Sequence, residues 1–155
     1  EGERMTTKDY IDITRSELIG YYLDQQAQDR LDERAVLIEH EMTSLKGVRY
    51  DREPVTGSVA NGYEDRLCAM IAEKDIIATR KRQIAERARM VERVLATLRD
   101  ESRDILMTFV RASAEHGKYA SEEMQEKYMY SRSQVYAIYR EALADVARAM
   151  WGGIG

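Results

Sequence analysis

Apolar residues recur at every seventh position through the middle of the chain. Met70, Ile77, Ile84, Val91 and Leu98 form one unbroken series. A companion series, Leu67, Lys74, Lys81, Ala88 and Leu95, is apolar at its ends and holds two lysines at its centre. A strict seven-residue repeat predicts a helix over 63–98 that supercoils against a partner. The nearest partner is 21–45, where Leu31, Ala35, Ile38, Met42 and Leu45 are spaced four-three-four-three. Together they predict an antiparallel hairpin, with the lysine ends extending past the seam. The second helix is the longer, so its far half must cover its seam with the C-terminal helices or with a second copy. A homodimer is the expected assembly.

Lys46 and Gly47 predict the end of the first hairpin helix. Between 47 and 62, Pro54, Gly57, Asn61 and Gly62 supply turn chemistry and predict a loop. Val48, Tyr50 and Val55 give that loop apolar groups with which to fold back. Upstream, Tyr10, Ile13 and Leu18 have helical spacing, but Gly20 weakens continuation by about 1 kcal/mol relative to Ala. A separate short helix is therefore expected within 1–20. Downstream, Asp100 or Ser102 can cap a helix whose apolar face is Ile105, Leu106, Phe109 and Val110.

The last stretch, 121–150, reads as a short helix, a tight break and a longer helix. Ser121 can start the first, with Glu122 and Glu123 in the turn where the helix dipole favours acids. Met124 and Tyr128, four apart, give it a buried edge. Ser131 and Gln134 form the S-x-x-Q capping box of the second. Val135, Ile138, Tyr139, Ala142, Leu143 and Val146 then lie on one stripe of a 3.6-residue helix. The opposite side offers Arg132, Ser133, Gln134, Tyr136, Ala137 and Arg140. Two helices joined by about three residues, the second with a polar N-terminal face, form the pattern of a helix-turn-helix. Arg pairs bidentately with guanine and Gln with adenine in the major groove. Arg132, Ser133, Gln134, Tyr136 and Arg140 are thus the base-reading candidates.

Charge complicates that reading. The chain of 155 residues carries a net charge of −4. Residues 1–53 have thirteen acids and eight bases, whereas 74–99 have eight bases and three acids. Residues 100–155 are net −2. The reading helices are therefore not basic, and the helix before them is. Lys118, Lys127 and the run with Arg80, Lys81 and Arg82 are the phosphate-contact candidates.

Catalytic chemistry finds little support. His40 and His116 are far apart, and neither stands in an E-x-x-H or H-x-x-x-H pattern. No glycine-rich phosphate loop occurs. Cys68 is the one cysteine, which fits a reducing cytoplasm. Its neighbours Leu67, Ala69 and Ile71 predict a packing role. No apolar run approaches the ~20 residues of a membrane span. The reading is a protein that is not an enzyme, with no cofactor or metal and no membrane partner.

The segment EEMQEKYMYSRSQVYAIYREAL resembles the DNA-reading region four of sigma factors and of related phage regulators. The likeness lies in the first-helix acids, the Ser cap, the Arg after it and the closing Ala-Leu pair. With YLDQQAQDRLDERAVLIEHEMTSL, YDREPVTGS and LRDESRDILMTFV, the chain from Tyr22 to Met150 resembles small phage and integrative-element proteins of Gram-positive bacteria, near the ArpU and RinA late-gene regulators. Two positions depart from the pattern. Gln125 stands where such motifs carry a small residue, and Met129 where many carry Gly in the turn.

The expected fold is all-α: a long antiparallel, coiled-coil-like helical hairpin (21–99, loop 47–62) after an N-terminal segment (1–20). A small helix-turn-helix domain (100–151) and a tail (152–155) follow. The expected function is DNA-binding transcriptional regulation in a phage or mobile element, on double-stranded DNA. The alternatives are a module that binds RNA polymerase or another factor, and a coiled-coil structural phage protein.

Overall fold

The structure, a computed structural model, describes residues 5–51 and 58–152, the side chains of 48–51 and 58–61 excepted. Five helices and no strand occur among them: α1 (Thr7–Asp51), α2 (Ser58–Leu95), α3 (Asp100–Glu115), α4 (Ala120–Tyr128) and α5 (Arg132–Trp151). The chain divides into two compact units, 25–86 and the pair 1–24 with 87–155. α1 and α2 each contribute to both.

Within 25–86 the two helices form the hairpin that the seam predicts. Ile38 and Met42 of α1 are buried with Met70 and Ile77 of α2, flanked by Leu31, Ala35, Leu45 and Leu67. Ion pairs join Asp32 to Lys81, Arg34 to Glu73 and Glu39 to Lys74. Asp32 meets Lys81, and Glu39, seven residues further along α1, meets Lys74, seven residues earlier on α2, which is the antiparallel register. Lys74 and Lys81 therefore do more than extend past the seam, since each meets an α1 carboxylate. Arg34 grips Glu73 with two bonds, Nε to Oε1 at 2.6 Å and Nη2 to Oε2 at 3.1 Å. Hydrogen bonds from Lys74 and Arg34 hold the Glu39 and Glu73 carboxyls below the usual carboxylate range. Exposed pairs of this kind contribute about 0–1 kcal/mol each. Like charges brought together would repel, so the pairs chiefly favour this register over others. Two bases of 74–99, Lys74 and Lys81, thus meet acids of 1–53, while Arg34 meets Glu73 in the opposite sense.

Several expectations are corrected here. Cys68 is exposed, because the seam passes through Leu67 and Met70 and turns the intervening position outward. The expected break at 47–62 is narrower, since α1 runs through Gly47 to Asp51 and α2 begins at Ser58. Gly47 has no neighbouring atom against it, and one Gly weakens but does not end a helix that gains a bond per added residue. The positions 52–57 and the side chains of Val48, Tyr50 and Val55 lie outside the described residues.

The second unit is built on Leu18 of α1, Val91 and Leu95 of α2, Leu106 and Val110 of α3, and Ala142, Leu143 and Val146 of α5. All eight are buried. The surplus seam of α2, which suggested a homodimer, is thus covered within the chain. The N-terminal segment is no separate helix either: α1 passes through Gly20 unbroken. The missing side chain leaves room for the flexible end of Arg87. A Cβ there would stand 2.2 Å from Nη1 of Arg87. Across the bare backbone, Arg87 reaches Asp24 at 3.4 Å and Glu17 at 3.7 Å. Asp24 is only 4 % exposed, so the nearby cation offsets the cost of burying its charge.

Two further contacts close this unit. Trp151 Nε1 donates to Thr14 Oγ1 at 2.9 Å, and the Thr14 hydroxyl donates to the Tyr10 carbonyl at 2.6 Å. The fully buried Thr14 thereby satisfies both its donor and an acceptor site. Between α2 and α3, Arg103 Nε donates to the Leu95 carbonyl and Nη2 to the Leu98 carbonyl, both at 3.1 Å. α2 ends at Leu95 in short-range turns. The N-cap of α3 is Arg99, with no side-chain cap, rather than Asp100 or Ser102. Asp100 and Glu101 lie in the first turn, where their charge meets the helix dipole.

Candidate nucleic-acid interface

α3, α4 and α5 share a second apolar centre. Ile105, Met124 and Val135 are buried together, with Phe109, Tyr128, Tyr130, Ile138 and Tyr139 around them. The predicted stripe of α5 supplies this centre and the one on Leu18. Tyr139 stacks on Phe109 with centroids 4.5 Å apart. Its hydroxyl accepts from Arg15 Nε of α1 at 3.1 Å. That contact joins positions 124 apart, and no local pattern announces it.

α4 begins at Ala120 with Tyr119 as N-cap, one residue before the expected Ser121. Ser121 is instead buried and accepts from Gln125 Nε2 at 3.0 Å. Gln125, where a small residue is usual, is accommodated by this bond. At the other end, Lys127 Nζ and the Tyr128 hydroxyl both donate to Asp104 Oδ2, each at 2.6 Å. Burial pushes the Asp104 carboxyl up, but the Lys127 and Tyr128 bonds outweigh it and leave Asp104 below the usual range. The same bond pushes the Tyr128 phenol up to about 12.

The turn into α5 is Met129 to Ser131. Met129 has φ 57°, the left-handed conformation that glycine adopts without Cβ strain. Its N–H donates to the Gln125 carbonyl, closing α4. The side chain is 88 % exposed, so its removal forfeits little packing. Met129→Gly should raise stability by about 0.5 kcal/mol: relief of ~1–2 kcal/mol of strain, less the extra freedom of glycine in the unfolded chain. A lower urea midpoint than the parent's would refute this.

Ser131 is the N-cap of α5. Its Oγ accepts from the Gln134 backbone N–H at 3.2 Å, and Gln134 Oε1 accepts from the Ser131 N–H at 2.8 Å. Both halves of the capping box are formed. Ser131→Ala should cost about 1 kcal/mol in thermal or chemical unfolding, and superimposable curves would contradict the cap.

Beyond the cap, Arg132, Ser133, Gln134, Ala137 and Arg140 are exposed. Arg132, Tyr136 and Arg140 stand four apart on one ridge. Tyr136 is less open than expected. It is half-buried, its ring edge-on to Phe109 at 5.3 Å, and the Arg132 guanidinium lies over it at 5.5 Å. Such a contact narrows the range of Arg132, which stays exposed.

The phosphate candidates are dispersed. Lys118 is exposed just before α4, and Lys127 is held by Asp104. Arg80, Lys81 and Arg82 belong to the other unit. There Lys81 pairs with Asp32, and Arg82 Nη2 donates to Thr79 Oγ1 at 3.3 Å. Among the described residues no group of three His, Cys, Asp or Glu side chains could hold a metal. No described helix is long and apolar enough to cross a membrane.

No protein-family model matches the chain, and no curated protein or solved structure matches it significantly.

Proposed function

We propose that the chain is a DNA-binding transcriptional regulator of a phage or mobile element, with α5 as its recognition helix on double-stranded DNA. One observation carries this reading: the doubly closed Ser131–Gln134 cap on a helix seated against α3 and α4, with Arg132, Ser133 and Arg140 exposed on the side away from that core. A helix-turn-helix inserts that N-terminal face into the major groove. The phage context comes from the resemblance of residues 22–150 described above.

Phosphate neutralisation rests on few groups, Lys118 foremost, with Lys127 shared with Asp104. Binding is therefore modest and steeply salt-dependent. The test is fluorescence anisotropy on DNA fragments from the host element at two salt concentrations. Arg132→Ala should cost about 1–3 kcal/mol on the preferred site and little on random DNA, whereas Lys127→Ala should weaken both alike. Equal binding of Arg132→Ala and parent to both DNAs would reject α5 as the reading element.

A second reading is favoured by the same ion pairs that occupy Lys127 and Lys81. In it the C-terminal helices grip RNA polymerase or another factor, and DNA is touched weakly. Absence of binding to any fragment at low salt, with retention of polymerase, would select it.

A further inference from the structure

The hydrogen-bond chemistry left open on α5 is one-sided, and this narrows the DNA that it can read. Arg132 and Arg140 carry donors only. Gln134 is ordinarily two-faced: its Oε1 accepts and its Nε2 donates, which lets it match the acceptor and donor of adenine together. Here Oε1 is turned back onto the Ser131 N–H at 2.8 Å, while the Gln134 N–H bonds Ser131 Oγ. A side chain anchored at Oε1 must break the cap bond before it can present oxygen and nitrogen side by side. Its free edge is Nε2, a donor.

The first two turns of α5 thus expose two guanidinium or amide donor groups, Arg132 and Gln134, and the third turn adds Arg140. The Ser133 and Tyr136 hydroxyls can act either way and set no preference. The first carboxylate along α5 is Glu141, exposed in the third turn beside Arg140. An acceptor there suits the cytosine amino group, the other half of a G·C edge.

Resting on the DNA reading above, we infer that α5 selects guanine, and that Gln134 is a cap and donor rather than an adenine reader. Guanine alone presents two acceptors, N7 and O6, in the major groove. Adenine and cytosine each place an amino donor against these donors, and thymine offers one acceptor and a methyl group. Arg132 and Arg140 are eight residues apart, about 12 Å along the helix. Two guanine-bearing positions should accordingly fall within about four base pairs.

The experiment is selection of the full-length chain on a library of random duplexes, followed by anisotropy on the enriched sequence. The expected result is enrichment of two G·C pairs within that span. Replacing those guanines by 7-deazaguanine, which removes the N7 acceptor, should weaken binding roughly five- to hundredfold. Gln134→Glu keeps an acceptor for the Ser131 N–H, since Glu serves equally at this place in a capping box. It should therefore melt like the parent, yet bind the guanine site less tightly and shift its selection toward cytosine on the contacted strand. An enriched site built on A·T pairs, an adenine preference lost in Gln134→Glu, or indifference to 7-deazaguanine would overturn the guanine inference while leaving DNA binding intact. Failure to enrich any sequence, with no binding at low salt, would remove the DNA reading itself and this inference with it.

Discussion

Leu18→Ala should lower the unfolding free energy by about 3 kcal/mol, within the range of about 2–5 kcal/mol for emptying a buried leucine site. Leu18 is fully buried against Val91, Leu95, Leu106, Val110 and Leu143. Its replacement leaves a void that helices held from several sides cannot close. The loss should be seen in far-ultraviolet circular dichroism and in the fluorescence of Trp151, the one tryptophan, which reports the same unit through its bond to Thr14. Val36→Ala is the matched control. Val36 is 68 % exposed, and its truncation should fall within about 0.5 kcal/mol of the parent. Equal midpoints for Leu18→Ala and the parent would mean that the start of α1 contributes nothing to the C-terminal helices.

Arg87→Met should cost about 2–3 kcal/mol. Breaking a buried pair typically costs about 3–5 kcal/mol because one charge is left without its counterion. The lower figure reflects Arg87, whose side chain is 35 % exposed, against 5 % for Asp24. The double variant Arg87→Met with Asp24→Asn should recover most of the loss, since the uncompensated charge is then gone. If Asp24→Asn deepens the loss instead, packing of the arginine stem governs the site and the pair does not. Gly20→Ala addresses the same place from the other side. Its Cβ would make the flexible guanidinium shift, so the gain in helix propensity is set against whatever part of the Asp24 contact that shift weakens.

What the sequence revealed and what it hid divide along a physical line. The seam, the α5 stripe and the capping box depend on residues three to seven positions apart, and such spacings are visible as periodicity. Ile77, Ile84 and Val91 are buried as their repeat requires, and Ser131 and Gln134 bond as their spacing allows. The continuity of α1 was hidden, because Gly20 weakens a helix locally while Arg87 makes use of its missing side chain from 67 positions away. Cys68 was misplaced because apolar neighbours in sequence are not neighbours on a helix surface. In the candidate interface the identity of the outward residues was legible. Their commitments were not: that Lys127 serves Asp104, that Lys81 serves Asp32, and that Tyr136 leans on Phe109 are facts of tertiary contact. Charge totals by segment likewise marked 74–99 as basic without showing that Lys74, Lys81 and Arg87 there are engaged by acids of α1.

The division of the larger unit between 1–24 and 87–155 bears on how the protein is made. During synthesis, at about 5–20 residues per second, Ile11, Leu18 and Ile19 emerge long before α3 and α5 exist to cover them. For several seconds the nascent chain must carry this apolar stripe bare, or lend it to a chaperone. The hairpin of 25–86 can form in that interval from near neighbours in sequence. Once formed, it replaces a long flexible loop with a short effective one, easing the entropy of bringing Leu18 to Val91. Formation of the hairpin before release from the ribosome would thus ease the closure of the larger unit, whose two stretches are otherwise far apart along the chain.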